Sequence, residues 1–255
     1  MKFIDRLPLL NKKVAWHVVD FNNRFEQDCK NGFEPMYPAS AYKAFISAAI
    51  LYDKIPLDKE VKTVKQDRKN DLFPINSTTI GANALFNVSN LLSKMMIDSD
   101  NRAANTLAQM TDVEKFTGKK FSDSGKTKKF KSGEHTMYCD RIQSTASDLA
   151  MLGSQIETHA PEYIKTQMHN YAIGGGPLKV MWGKSGSMIS APKFYPKLFE
   201  KIFERRFLIQ MGVIKRDGLY YSFAIMTRCN RFKGSKKDID FMKIQKRIEK
   251  NLHIK

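Results

Sequence analysis

Three short clusters of hydroxyl, amine and amide side chains stand far apart along this 255-residue chain: Ser40-Ala-Tyr-Lys43, Ser99-Asp100-Asn101 and Lys184-Ser185-Gly186. Their residue types suit acyl transfer. Ser40 follows Pro38 at the head of an apolar run, where the N–H groups and dipole of a helix N-terminus favour developing negative charge. Lys43 is three residues on, hence on the same helical face. An ordinary lysine is a poor base, but burial and a second cation would both lower its pKa, and Lys184 can be that cation. Ser99, at a corner between two helices, can relay a proton from Lys43 to a departing nitrogen, and Asn101 can donate its amide to a substrate carbonyl. Asp100 is placed to tie the corner through backbone N–H groups rather than to react. Lys184 and Ser185 offer a charge and a hydroxyl to a substrate carboxylate. Backbone N–H groups of Ser40 and Ser187 would form an oxyanion hole, and Gly186 completes the substrate-binding set. An exposed edge at 184–188 would let a peptide-like substrate add as an extra strand.

Singly these clusters are weak signals. The first pattern recurs at Ser190-Ala-Pro-Lys193, but with an internal proline and no helical pattern. The third recurs at Lys131-Ser132-Gly133, in a polar stretch with no apolar strand before it. Ser99-Asp100-Asn101 occurs once. Specificity comes from each cluster lying in the element its chemistry needs.

Those elements follow from the hydrophobic pattern. Residues 13–21 read as a strand, with a second near Arg24–Cys29. A helix is predicted over about 40–53, with Phe45, Ala48, Ala49 and Tyr52 on one face. Further helices are predicted at 82–98, 102–110 and 144–156, the last with Ser144 as its cap. Residues 111–143 read as a polar loop. Beyond the breaker "IGGGP" come strands at 178–188, 206–215 and 219–228, the last two joined at Asp217-Gly218. A closing helix has a capping-box pattern at Ser235 and Asp238 and a stripe of Phe241, Ile244, Ile248 and Leu252. The expected fold is α/β in the α+β sense: an antiparallel sheet from both chain ends, flanked by helices, with an inserted all-helical subdomain. The sheet part is assigned to 1–39 and 175–255 and the helical part to 40–174, together one catalytic domain.

The three clusters, in this order and across about residues 37–228, resemble the SxxK, SDN and K(S/T)G motifs of the serine β-lactamase and penicillin-binding protein (DD-peptidase) superfamily. The Ser-Asp-Asn form and "WGKSGSM" are most similar to class A β-lactamases. The resemblance implies an acyl-enzyme on Ser40, with Lys43 and Ser99 catalytic and Asn101, Lys184, Ser185, Gly186 and Ser187 binding substrate. It implies a β-lactam or a D-Ala-D-Ala-type peptide as that substrate. It also implies an extracytoplasmic or periplasmic location if a leader has been removed; no signal peptide is visible in this chain. The match departs from class A in several places. The glutamate of an ExxxN loop has no counterpart, since neither Glu114 nor Glu134 has an asparagine four residues on, and "IQSTASDLAML" looks more like a DD-carboxypeptidase helix. The class A carboxylate-binding arginine also lacks a clear match, with Arg216 and Arg228 candidates by strand position alone. The segment 189–205 reads as an insertion after the third motif.

Composition narrows the rest. Hydrophobic residues make up 42%, enough for a core, and no apolar run approaches a membrane span. The formal charge of +17 is dispersed over many lysine runs, which read as solvated faces with at most a weak pull toward anionic cell-wall polymer or a membrane surface. A specific nucleic-acid partner is not expected, and a monomer is. Cys29, Cys139 and Cys229 are far apart with no CxxC, and the histidines show no ligand spacing, so neither a disulfide framework, a metal nor a cofactor is expected.

Overall fold

Alternation decides the sheet. In β1 (Lys13–Asp20), Ala15 and Val19 enter one hydrophobic core while Trp16 and Val18 enter another. The same alternation runs through β6 (Arg205–Arg216) and β7 (Leu219–Asn230). Ile209, Met211, Ala224 and Met226 face the first core, and Tyr221, Phe223 and Ile225 face the second. With β2 (Glu26–Lys30) and β5 (Val180–Ser190) these strands form one antiparallel sheet in the order β2-β1-β7-β6-β5. The computed structural model describes residues 13–21, 26–65, 71–75, 78–113, 116, 142–160, 162, 165, 178, 180–190, 205–230 and 241–252.

Helices cover both faces. On the inner face α1 (Lys43–Tyr52), α2 (Val88–Met96), α3 (Asn101–Ala108) and α4 (Ala146–His159) bury Phe45, Ile46, Leu91, Met95, Leu107, Leu149 and Leu152 in the larger core. On the outer face α5 (Phe241–Leu252) lays Ile244, Ile248 and Leu252 against Trp16, Val18, Phe223 and Ile225. The antiparallel sheet built from both ends of the chain and its flanking helices match the expected fold class. Among the described residues no helix is long and apolar enough to cross a membrane.

Several expected elements are placed differently. The run 82–98 is not one helix. Leu85–Asn87 form β4, paired with β3 (Glu60–Lys62), and the helix starts at Val88 because the Asn87 side chain accepts the Asn90 N–H at 2.9 Å. Apolar spacing alone does not reveal that cap. Thr145, not Ser144, caps α4, accepting the Asp148 N–H at 3.0 Å; the Ser144 backbone is held in a bridge to Met36. The sequence around Ser40 begins with a 3-10 turn, Ala39–Tyr42, and the α-helix starts only at Lys43. The predicted cap at Ser235, the loop 117–141 with its Lys131-Ser132-Gly133 pattern, Glu114, and residues 191–204 of the predicted insertion lie outside the described residues.

Candidate active site

The turn before α1 brings a serine and a lysine together without a regular helix between them. Ala39 has φ +47°, a left-handed conformation that costs an L-residue on the order of 1 kcal/mol. That bend presents Ser40, partly exposed, while Lys43 goes fully into the core. The Lys43 amine lies 3.4 Å from Ser40 Oγ, 3.0 Å from Ser99 Oγ and 2.6 Å from Asn101 Oδ1, and it also donates to the Ser99 carbonyl. It sits 4.9 Å from the centre of the Phe73 ring. An ammonium has three N–H donors for these four acceptors, so the long contact to Ser40 is the weakest. Burial pushes the Lys43 pKa well below its ordinary value, and the nearby Lys184 ammonium pushes it further down, against an opposing pull from Asp100. A neutral amine there would accept the Ser40 hydroxyl proton rather than donate.

Asp100 builds the corner that delivers Ser99. As the N-cap of α3 it accepts the Ala103 N–H at 2.9 Å. It also accepts both hydroxyls of Thr78 and Thr79, the Thr79 N–H, and the Ile80 N–H at 3.3 Å. Burial opposes its charge, but these N–H and O–H donors prevail and hold its carboxyl below the usual carboxylate range. The expectation that Asp100 ties the corner rather than reacts agrees with this geometry. Ser99 itself has φ +54°, and this left-handed turn accompanies its carbonyl pointing at the Lys43 amine.

Sequence spacing missed a fourth contributor, the segment 71–75. Asn105 clamps it, accepting the Leu72 and Phe73 N–H groups at 3.1 and 3.0 Å and donating to the Phe73 carbonyl at 2.9 Å. The clamp brings Phe73 over Lys43 and the Pro74 carbonyl within 2.7 Å of Asn101 Nδ2. Asn101 therefore spends its carbonyl on Lys43 and one amide N–H on Pro74, leaving its second N–H for the expected contact with substrate. No motif marks these residues, because the contacts are made to backbone atoms.

The third cluster arrives on β5, the edge strand of the sheet. Lys184 and Gly186 pair with Met211 and Ile209 on the inner face, beside the Ser40 turn. Lys184 is fully buried, and burial brings its pKa down to about 7, with Asp98 pulling upward. A Cβ on Gly186 would lie 2.6 Å from Ser40 N and 2.8 Å from Ala41 N, so only glycine lets the strand run this close to the serine backbone. Ser185 and Ser187 alternate to the other side, opposite Gln210 and Leu208, and can meet a ligand only at the strand edge. Ser185 is half-buried and Ser187 exposed. Trp182 is a core residue, its indole N–H donating to Glu157, and Tyr37 and Tyr42 pack on Phe207 and Phe45. Arg216 is ion-paired with Glu249, seven residues along β6 from Ile209, about 23 Å away, so it is not at the Ser40 cleft.

Gly186→Ala is expected to move Ser40 rather than unfold the sheet, because the clash falls on backbone atoms of the turn. Displacements of about 1 Å at a reacting centre cost about 100-fold. Single-turnover acylation of the variant should fall by about that factor, while its melting temperature, read by circular dichroism, changes by only a few degrees.

The fold is that of the serine β-lactamase and penicillin-binding protein superfamily. The model of the β-lactamase enzyme family matches residues 4–174, more than half of the chain, and the chain belongs to that family. Among solved structures it is similar to the TLA-1 extended-spectrum β-lactamase (TM-score 0.68, 16% identity, covering 95% of this chain and 94% of that one). It is likewise similar to a D-alanyl-D-alanine carboxypeptidase from Mycobacterium tuberculosis H37Rv (TM-score 0.67, 16% identity, covering 94% and 91%). A class A β-lactamase from Bacteroides cellulosilyticus DSM 14838 also aligns (TM-score 0.65, 15% identity, covering 95% and 92%). No curated protein matches the chain in sequence.

Proposed function

We propose that this protein is a serine hydrolase that opens β-lactam rings through an acyl-enzyme on Ser40. The observation that carries this reading is the position of one buried, pKa-lowered amine, Lys43 Nζ, within reach of both the Ser40 and Ser99 hydroxyls. Ser40 Oγ attacks the lactam carbonyl as its proton passes to the neutral Lys43 amine. The Ser40 and Ser187 backbone N–H groups take the developing oxyanion. Ser99 hands a proton to the departing lactam nitrogen and regains one from Lys43. Water then cleaves the ester, restoring the Ser40 hydroxyl. Lys184, with Ser185 at the strand edge, binds the substrate carboxylate, and Asn101 binds its amide carbonyl. The enzyme would work outside the cytoplasm, where such substrates are met.

A chromogenic cephalosporin tests this. The expected time course is steady turnover over many equivalents. A burst of about one equivalent followed by silence would reject hydrolysis and support a second reading: a DD-peptidase or penicillin-binding sensor that deacylates slowly. One observation favours that second reading. Four glutamates lie between Asn101 and Lys184: Glu114, Glu134, Glu157 and Glu162. None of these has an asparagine four residues on; Glu157 accepts the Trp182 indole N–H, and Glu162 pairs with Lys165 at 2.9 Å.

The buried lysine pair sets a pH profile. Lys184 carries its charge below about 7 and loses it above, so capture of an anionic substrate by free enzyme weakens as pH rises. For a penicillin, kcat/KM should fall by up to about tenfold per pH unit on the alkaline limb. In Lys184→Arg the guanidinium stays charged, so the limb should move out of range even if the absolute rate drops. An unchanged limb in the Arg variant would dissociate it from Lys184.

A further inference from the structure

A second cluster of chemically able side chains lies at the opposite edge of the sheet, four strand spacings or about 19 Å from β5. The β1–β2 pairing sets His17 directly across from Cys29. A bulge between Val18 and Val19 then pairs Val19 with Glu26 instead of Gln27. That one-residue slip turns Glu26 onto the face that His17 and Cys29 share, the re-aiming that bulges produce. A ring nitrogen of His17, a Glu26 carboxylate oxygen and Cys29 Sγ all lie within 4.8 Å of one another, and His17 Nδ1 is 3.7 Å from Glu26 Oε2.

One further observation points to a ligand among them, and the adjoining loop holds the donors close together. His17 is 5% exposed, and its Nδ1 is buried without a hydrogen-bond partner. A buried ring nitrogen with no partner costs on the order of 1–3 kcal/mol. The loop that closes the cluster carries Gly32, where a Cβ would lie 2.6 Å from Cys29 Sγ and 2.8 Å from His17 Nδ1. Gly32 is therefore packed closely against both donor atoms, with its backbone N–H bonded to Cys29 Sγ, and no larger residue fits there. That loop is anchored, since the Gly32 carbonyl accepts the Ser147 N–H of α4 at 2.9 Å and Phe33 sets its ring edge-on to His17 at 5.7 Å.

We propose that His17, Glu26 and Cys29 form a zinc(II) site that clips the edge strand β2 to β1, separate from the Ser40 cleft. Imidazole nitrogen, thiolate and carboxylate are the donors that borderline-soft zinc takes, at about 2.0–2.3 Å. Those bond lengths imply donor separations of about 3.3–3.6 Å in a tetrahedron. The 3.7 Å between His17 Nδ1 and the Glu26 carboxylate is slightly wider, and the Glu26 side chain, half exposed, is free to close it. Binding takes the Cys29 thiol as thiolate and releases its proton to solvent. The exposed side of Glu26 leaves room for water as the fourth ligand. No sequence spacing advertises the site, and a metal was not expected there, because the ligands meet through strand register.

The test uses the full chain, stripped with a chelator and then titrated with zinc(II) against a chromophoric competitor and, separately, with cobalt(II). One equivalent of zinc is expected, together with a cobalt adduct showing a thiolate charge-transfer band. Cys29→Ser should abolish the band and weaken zinc at least tenfold, whereas the double variant Cys139→Ser/Cys229→Ser should keep both. Gly32→Ala should also weaken zinc at least tenfold, and its metal-free melting temperature should fall because the added Cβ meets Cys29 Sγ and the buried His17 ring. Because His17 is buried, the Cys29 and Gly32 variants decide the matter even if a His17 variant fails to fold. Absence of stoichiometric zinc binding, or binding indifferent to Cys29→Ser, overturns the proposal. Neither readout depends on penicillin chemistry.

Discussion

Ser40→Ala should leave a folded protein that forms no adduct with benzylpenicillin. Removing the nucleophile of a serine hydrolase lowers its rate by about 10⁶-fold, which puts covalent capture below detection on any practical time scale. The fold should survive. Ser40 is partly exposed, its side chain accepts, among the described residues, only the long 3.4 Å contact from Lys43, and alanine is compatible with the 3-10 turn. Intact-protein mass after incubation is the measurement, with a thermal melt as the control. An unsubstituted protein that gains one penicillin mass, beside a Ser40→Ala variant that gains none, is the expected pair. Attachment to the alanine variant would mean that another nucleophile carries the reaction and that the assignment of the whole cleft is mistaken.

Lys43→Ala is the second large effect, and it should separate chemistry from stability. Without the amine Ser40 loses its proposed base, and loss of a general base costs about 10²–10⁴-fold in acylation. The stability consequence has opposing parts. The variant sheds a buried amine whose charge the core disfavours, but it opens a cavity and orphans Asn101 Oδ1 and the Ser99 carbonyl. A net destabilisation of about 2–4 kcal/mol is expected, so the variant folds and can be assayed. Stopped-flow acylation across pH supplies the discriminating readout. The unsubstituted protein should lose rate as pH falls through the lowered Lys43 pKa, because the amine then gains a proton. The alanine variant should lack that acid limb. Retention of the limb would assign it to another group.

The two predictions rest on different kinds of information. The proposed nucleophile and base were legible in the sequence, because Ser40 and Lys43 are three residues apart at the head of an apolar run. The strands were legible for the same reason: "KVAWHVVD" and "LYYSFAIMTR" alternate because one sheet buries residues on both faces under different helices. Less was legible where backbone groups do the work. The strand β4 looked helical because three residues carry too little periodicity to distinguish the two. The clamp of Asn105 on 71–75 joins a side chain to main-chain atoms about thirty residues away, and no residue type announces such a partner.

What the sequence by itself determined is the inventory: which hydroxyls, amines and amides exist, and which stretches form strands and helices able to carry them. Only the tertiary structure decided how those groups behave. The lowered pKa of Lys43 requires that it be sealed in the core near Lys184, 141 positions away in the chain. The approach of β5 to Ser40 requires a glycine facing a turn on another element, and the meeting of His17, Glu26 and Cys29 requires a bulge. Solvation and distance act through space, so the chemistry of these side chains depends on neighbours that chain order does not reveal.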